Sequence, residues 1–592
     1  MASVWMGQER EQAILEGVRG AVRSLTPAEE SFLETAVRDQ IFSGAAEEPA
    51  HIRGEVLSWL LATPDAAELL PRRRLRMRHV IISGTVDLTQ ARTGAALELD
   101  RTTVLGGIDF EGARLARVVI TDSRIGDEEP ATVDATTCFL EGDFIFVRSD
   151  ARNLRLRNAT IGGQLSCIGS RFTNQEESAL SADGAQITGS VLLGGNARFE
   201  GVVRLYGATI GGQLSCIGST FSNPTGDALG ADRAAITGNV ALHEAARFEG
   251  CVRLIGTTIG GGLSCIGSTF FSPGRYALRV DGARITGSVF LHGRAWFEGE
   301  VVFRGAKIGG TLSCIGSTFK NPGADAFNMQ DGEVNGEAYF GPASLAGQAV
   351  LRHGSFMGGL WVDPRGIDES SEIDLSDARV GAFHVGHGYG AILRLTNATY
   401  ARLEAIEPGT LPAIVQTLLG QWRDDRHVAV ETYEHLATAL RSAGQDALAR
   451  EVMIACHERR LEDPATGTWS RLLLEVFKKT MLYGYAPLRP IAIAACIAAI
   501  GVATMLAATF SGVVNAPLGA WRILGSLVTG IGSLIPLDPL YLEPQRTNLA
   551  HSNAWRDSLY NLTWGWYWFE NAAGWLLAAI IVVGLTRVIR RV

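Results

Sequence analysis

Apolar side chains alternate with small or polar ones over most of residues 78–403, a period of two that predicts short β-strands. In one stretch Ile187, Gly189, Val191 and Leu193 fall on one face. Phe199, Gly201, Val203 and Leu205 follow in the same pattern, then Ile210, Gly212, Leu214 and Cys216. A less regular segment runs through Ala228 and Leu229 to Asp232, after a turn-like stretch with Asn223 and Pro224 whose prolines recur at Pro273 and Pro322. Four strand-like units are therefore expected in each repeat, with glycine where the wall bends.

The pattern itself repeats. The phrases IGGQLSCIGS (twice), IGGGLSCIGS and IGGTLSCIGS place Cys167, Cys216, Cys265 and Cys314 at a constant interval of 49 residues. A period free of insertions implies equivalent units stacked along one axis, a solenoid. One coil of a tight β-helix takes about 20 to 25 residues, so each repeat is expected to hold two coils. Ile187, Ile236, Ile285 and Val334 then form one apolar column, Phe199, Phe248 and Phe297 a second, and Ile161, Ile210, Ile259 and Ile308 a third. Val80–Leu88, Val104–Leu115 and Phe139–Phe146 upstream, and Glu372–Val385 and Ile392–Leu403 downstream, read as degenerate coils.

The two ends read differently. Residues 1–77 show helical patterns broken near Pro27 and Pro64, with Thr26 as an N-cap, and are expected to cap the solenoid. They lack the basic region and apolar core of a signal peptide. Residues 404–488 read as a helical hairpin broken at Gly444 and a juxtamembrane segment. Residues 489–592 are expected to form a two-span transmembrane domain. Ile491–Phe510 carries no charge, and at about 1.5 Å per residue it is long enough to cross a hydrocarbon layer of about 30 Å. The second stretch, Ala572–Leu585, is led by Trp564, Trp566, Tyr567, Trp568 and Trp575, which suit an interfacial belt. Arg471, Lys478, Lys479 and Arg489 precede the first span, and Arg587, Arg590 and Arg591 follow the second. This charge placement predicts a multi-pass protein of the cell inner membrane with the solenoid and the C-terminus in the cytoplasm. Ser511–Asn571 would be the extracytoplasmic loop, with Leu518–Ile535 an interfacial or re-entrant helix. The lipid bilayer is the first partner expected.

Candidate chemistry is sparse. The net charge is −9, and acids outnumber bases by eight between Ile81 and Tyr400, so no nucleic-acid partner is expected. In the cytoplasm the eight cysteines are expected to remain thiols. Cysteines two coils apart would stand about 9.5 Å from each other, beyond the roughly 4.4–6.8 Å a disulfide spans. No phosphate loop, dinucleotide fingerprint or triad stands in the right context, and the serines of LSCIGS are repeated rather than unique. His384 and His387 have a short metal-like spacing without a third ligand, and His243 and His292 lie one repeat apart near turns. Glu200, Glu249 and Glu298 make an acidic row. These are read as structural or solvated, so no catalytic residue, no cofactor-binding residue and no metal ligand is assigned, and no cofactor is expected.

The phrases IGGQLSCIGSTF, ITGSVLL and RFEGVVRL, the helix AREVMIACHERR and the segment YGYAPLRP before an apolar stretch resemble bacterial pentapeptide-repeat-like membrane proteins. Such proteins often carry the label "membrane-associated oxidoreductase". The resemblance covers most of the chain after Arg72 and implies a mainly β fold, a right-handed quadrilateral β-helix, here with an N-terminal helical cap, a helical hairpin and a C-terminal two-helix anchor. The strand units depart from a strict five-residue period, recurring at 12, 11, 11 and 15 residues from Ile187 to Ile236. Some similar proteins end in a two-span pore with a filter loop. Here the loop holds GIGSLIPLDPL at Gly530–Leu540 and no TVGYG-like filter. The expected function is a membrane-anchored, non-catalytic scaffold with an unknown protein partner on a solenoid face. A channel-like homo-oligomer gated by the solenoid is the first alternative, and the oxidoreductase that the label implies is the second.

Overall fold

A computed structural model describes residues 2–22, 24–38, 40–45, 48–127, 131–368, 370–387, 392–424, 429–462, 467–484, 488–515, 545–546 and 554–589, together with Leu524, Val528 and Ile531. The chain divides into one unit of residues 1–435 with 442–444 and a second of residues 436–441 with 445–592.

The first unit is mainly β, a parallel β-solenoid of about 14 turns. Its strands form a 27-stranded and a 19-stranded sheet. Ile161 pairs with Ile187, Ile187 with Ile210 and Ile210 with Ile236, steps of 26, 23 and 26 residues. The 49-residue repeat is therefore two unequal coils. Each coil carries three strands, where the alternation suggests two: Gln186–Ile187, Val191–Leu192 and Arg198–Arg204 in one, and Thr209–Ile210, Leu214–Ser215 and Thr220–Gly230 in the next. Ile187 and Val191 share a face in the sequence pattern, but the chain breaks between them after only two paired residues.

The surplus of the longer coil lies in its third strand, which has 11 residues against seven. Asn223 and Pro224, expected in a turn, lie inside this strand, where pairing skips from Ser222 to Asp227 and the intervening residues bulge outward. Asn223 closes the bulge by donating from Nδ2 to the Asp227 carbonyl at 2.8 Å, and Asn321 does the same to Asp325 at 2.7 Å. The neighbouring coil bends to match at Gly201, whose φ of +122° is poorly accessible to other residues. A Cβ there would stand 2.0 Å from the Asn174 carbonyl oxygen, and Gly250, Gly299 and Gly347 repeat the conformation.

Inside the coils the apolar rows fuse into one core. Phe172, Phe199, Phe221, Phe248, Phe270, Phe297 and Phe319 stack face to face with centroids 4.7–5.4 Å apart. This is the coil spacing of a parallel ladder, which holds the rings closer to a sandwich than isolated pairs prefer. The expected phenylalanine row is thus continuous, because the intervening coils supply a ring as well.

Pairing starts upstream of Arg78. Phe42–Ser43 pairs with Met77–Arg78, and Ala50–Arg53 with Val80–Ser83. Around these strands lie α1 (Ala2–Ala21), α2 (Pro27–Val37), α3 (Gly54–Ala62) and α4 (Pro64–Leu69). Thr26 caps α2 in a reciprocal capping box with Glu29. The last strand, Thr399–Ala405, is followed by α5 (Leu411–Asp424), which buries Ile414, Val415 and Leu418. The Gln421 Oε1 of α5 accepts the Leu393 N–H at 3.2 Å, satisfying a donor of the final coil. α6 (Val430–Ser442) ends before Gly444, which has a φ of +74°.

The second unit contains α7 (Asp446–Glu462), α8 (Thr468–Met481), α9 (Arg489–Phe510) and a C-terminal helix, Ala554–Ile589. Among the described residues α9 is the one helix long and apolar enough to cross a membrane. Met505, Ala508, Val513 and Val514 pack with Leu559 and Tyr560. The segment Ala554–Asn571, expected in the extracytoplasmic loop, is helical and continuous with the apolar stretch after it. Apart from Ile531, the GIGSLIPLDPL segment lies outside the described residues, as does most of Leu518–Ile535.

Candidate functional site

The repeated residues are occupied in holding the stack. Cys167, Cys216, Cys265 and Cys314 are fully buried, and none of the eight cysteines is in a disulfide. The Cys167 N–H donates to the Leu192 carbonyl and the Leu193 N–H to that of Ser215, so cysteine alternates with leucine from coil to coil. Burial pushes these thiols far above the ordinary cysteine range, away from the thiolate that redox or metal chemistry requires.

In the first two repeats the serine that closes LSCIGS is a staple. Ser170 Oγ accepts the Ser149 N–H at 3.1 Å, and Ser219 Oγ accepts the Ala197 N–H at 2.9 Å. Upstream, Ser149 Oγ takes the Ser123 N–H and Ser123 Oγ the Thr102 N–H, each at 3.0 Å. These hydroxyls satisfy backbone donors in corners that water does not reach.

The weaker candidates make contacts of the wall or face solvent. His384 stacks on Trp361 at 3.8 Å with its Nδ1 3.5 Å from a Glu404 carboxylate oxygen, while His387 is exposed. Among the described residues no group of three or more histidine, cysteine, aspartate or glutamate side chains is placed to hold a metal ion. His243 lies 3.6 Å from Glu244, and His292 is edge-on to Phe290. The acidic row is neutralised residue by residue: Glu200 by Arg171 at 2.7 Å, Glu249 by Arg247 at 2.8 Å and Glu298 by Lys320 at 3.1 Å.

The repeats differ mainly at outward-facing positions, among them the bulges of the longer coils. The four segments read NQEES at 174–178, NPTGD at 223–227, SPGRY at 272–276 and NPGAD at 321–325, while the buried rows beside them hardly vary. Two coils separate successive bulges, about 9.5 Å, so they form a ridge along the 19-stranded sheet. Its chemistry changes along its length. Glu176 and Glu177 are exposed and face Arg152 and Arg155. Arg275 reaches back to donate to the Thr225 carbonyl, at 2.5 Å. Near it Phe271, Tyr276 and Trp296 are all exposed, at 39%, 36% and 40%. Phe271 is opposite Glu298, Tyr276 opposite Glu300, and Trp296 opposite Thr269, so the three aromatics come from adjacent strands of one wall. Arg279 covers the Tyr276 ring at 4.5 Å. The extra residues of alternate coils were visible in the sequence as the uneven unit spacing, but their projection as a ridge depends on a skipped pairing that local pattern does not reveal.

In the second unit, Gly501 of α9 faces the Glu570 carboxylate of the C-terminal helix. A Cβ at Gly501 would stand 1.9 Å from Glu570 Oε1.

No family model, curated protein or solved structure matches this chain.

Proposed function

We propose that this protein is a membrane-tethered, non-catalytic scaffold whose bulge ridge binds a partner protein. The reading is carried by one contrast. The buried rows are nearly invariant from repeat to repeat, whereas the exposed bulges and the strand residues beside them carry acids in one coil pair and arginine with aromatics in another. Solenoids bind through such extended faces, and exposed aromatics with arginine are the residue types that dominate binding energy. In this proposal the solenoid is right-handed and quadrilateral, akin to pentapeptide-repeat membrane proteins. α9 and the apolar part of the C-terminal helix form a two-helix anchor in the inner membrane, with the solenoid in the cytoplasm. The apolar character of α9 and the basic residues Lys478, Lys479 and Arg489 before it support the tether.

The test is affinity capture of the full-length protein from its native membrane, with mass spectrometry and an absorbance spectrum of the captured material. The expected result is a stoichiometric protein partner that is lost when Phe271, Tyr276 and Trp296 are replaced by alanine, and no chromophore. Bound flavin or nicotinamide would overturn the scaffold in favour of redox chemistry. A homo-oligomer alone, unaffected by the triple replacement, would favour a channel.

A further inference from the structure

Helix α8 (Thr468–Met481) is separated from the apolar helix α9 by one short link. At 3.6 residues per turn its side chains sort into three strips. Leu474, Phe477 and Met481 share one flank, half-buried except for Met481, which is buried. Arg471, Glu475 and Lys478 share another, with Lys478 paired to Glu458 at 2.9 Å. Between them Trp469, Leu472 and Leu473 form an apolar strip that stays exposed among the described residues, at 78%, 53% and 56%. Lys479 borders this strip beside Leu472.

Three large apolar side chains bared together on one helix call for a cover. The geometry points to lipid. α8 ends eight positions before α9 begins, and Ile491 and Ile500 of α9 are also exposed, at 55% and 47%. Tryptophan favours the headgroup level, and a lysine beside the apolar strip suits anionic headgroups.

We infer that α8 lies in the plane of the membrane interface, with Trp469, Leu472 and Leu473 inserted about 5–10 Å into the headgroup and acyl boundary and Lys479 against anionic lipid headgroups. This rests on the reading of α9 as a tether. It makes α8 an in-plane attachment beside the spanning helices, which fixes how the chain leaves the membrane.

The test uses the full-length protein in lipid nanodiscs containing an anionic phospholipid. Seven native cysteines are buried, so Cys496→Ser leaves a background suited to single spin labels. Labels are placed by cysteine replacement at Trp469, Leu472, Leu473, Glu475 and Lys479, and at Ile491 and Ile500 in α9. Collisions with oxygen, which concentrates in lipid, and with a water-soluble nickel complex report depth. The expected result is high oxygen and low nickel collision at 469, 472 and 473, the reverse at 475, a depth between the two at 479, and full lipid exposure at 491 and 500. If 469, 472 and 473 meet nickel as freely as 475 while 491 and 500 stay in lipid, the in-plane helix is overturned and the tether stands. If the three are shielded from both reagents, protein covers them and the inference fails. Water exposure at 491 and 500 overturns the tether and the inference together.

Discussion

Phe248→Ala removes the middle ring of the phenylalanine stack and measures how far the coils depend on one another. Phe248 is fully buried, with Phe221 and Phe270 each 4.9 Å away. A buried Phe→Ala change costs about 3–5 kcal/mol, and the two ring contacts supply about 1–3 kcal/mol of that, at roughly 0.5–1.5 each. In a solenoid this loss falls on neighbouring coils and is not shared along the stack. At about 1.4 kcal/mol per tenfold change, the opening equilibrium next to residue 248 rises by about two to four powers of ten. Amide hydrogen exchange on the full-length protein reads this directly. Exchange should accelerate by that factor in Thr220–Gly230 and Thr269–Arg279, and stay unchanged in Arg117–Thr121 and Glu372–Asp374. Phe248→Leu keeps an apolar filling and loses the stacking, so about five- to 150-fold is expected in the same two strands. Equal acceleration from residue 117 to residue 374, or none beside residue 248, would refute nearest-neighbour stabilisation by the stack.

Glu29 offers an acid switch in the N-terminal cap. Burial raises its pKa, but the Arg53 hydrogen bond, the Thr26 and Arg53 backbone N–H groups and the guanidinium charge outweigh this and hold it at about 2. The resulting stabilisation is present above the ordinary value of 4.5 and is lost as pH falls towards 2, so Pro27–Val37 should gain exchange faster than the coils over that range, and Glu29→Gln should abolish the difference. The buried thiols act at the other end of the scale. Their raised pKa values stabilise the fold below about pH 9 and lose that contribution as pH rises, with Cys138 pushed to about 12 by burial and the Asp134 charge. Replacing Cys167, Cys216, Cys265 and Cys314 with valine should therefore move the alkaline loss of strand circular dichroism to higher pH, and an unchanged midpoint would count against the thiols. Gly501→Ala should lower the thermal unfolding temperature of the second unit by crowding Glu570, while Gly565→Ala, with nothing near its Cβ, should raise it slightly through helix propensity. Equal shifts in calorimetry would show that Gly501 is not a packing contact.

The solenoid was legible because equivalent residues recur at a fixed interval: Ile161, Ile210 and Ile259 identify a column before any coordinate is known. The doubling of coils followed from length alone, and the pairing steps of 26 and 23 residues agree. Two-residue strands were harder. Ile187 and Val191 keep one phase across a break, so alternation alone merges two strands into one. The rings of Phe172, Phe221, Phe270 and Phe319 stand out of phase with the 49-residue register of Phe199 and join its row only once the coils are threaded. The strands Phe42–Ser43 and Ala50–Arg53 are too short to show a period and depend on partners about 30 residues away. The C-terminal helix begins at Ala554 because its aromatic turns, Trp555 to Phe569, continue into the apolar stretch, and hydropathy registers only the latter. The bulge ridge depends on which residues pairing omits, a property of two coils together.

The tethered scaffold is tested most directly by membrane integration and sidedness of the full-length protein. Met357 is 66% exposed on the solenoid, and Cys496 in α9 is the only native cysteine that is not buried. A Met357→Cys, Cys496→Ser protein is expected to partition into the detergent phase and to react with a membrane-impermeant maleimide in inverted inner-membrane vesicles but not in intact spheroplasts. Recovery of the protein in the aqueous phase, or labelling of residue 357 from outside the cell, would contradict a cytoplasmic solenoid held to the membrane by α9.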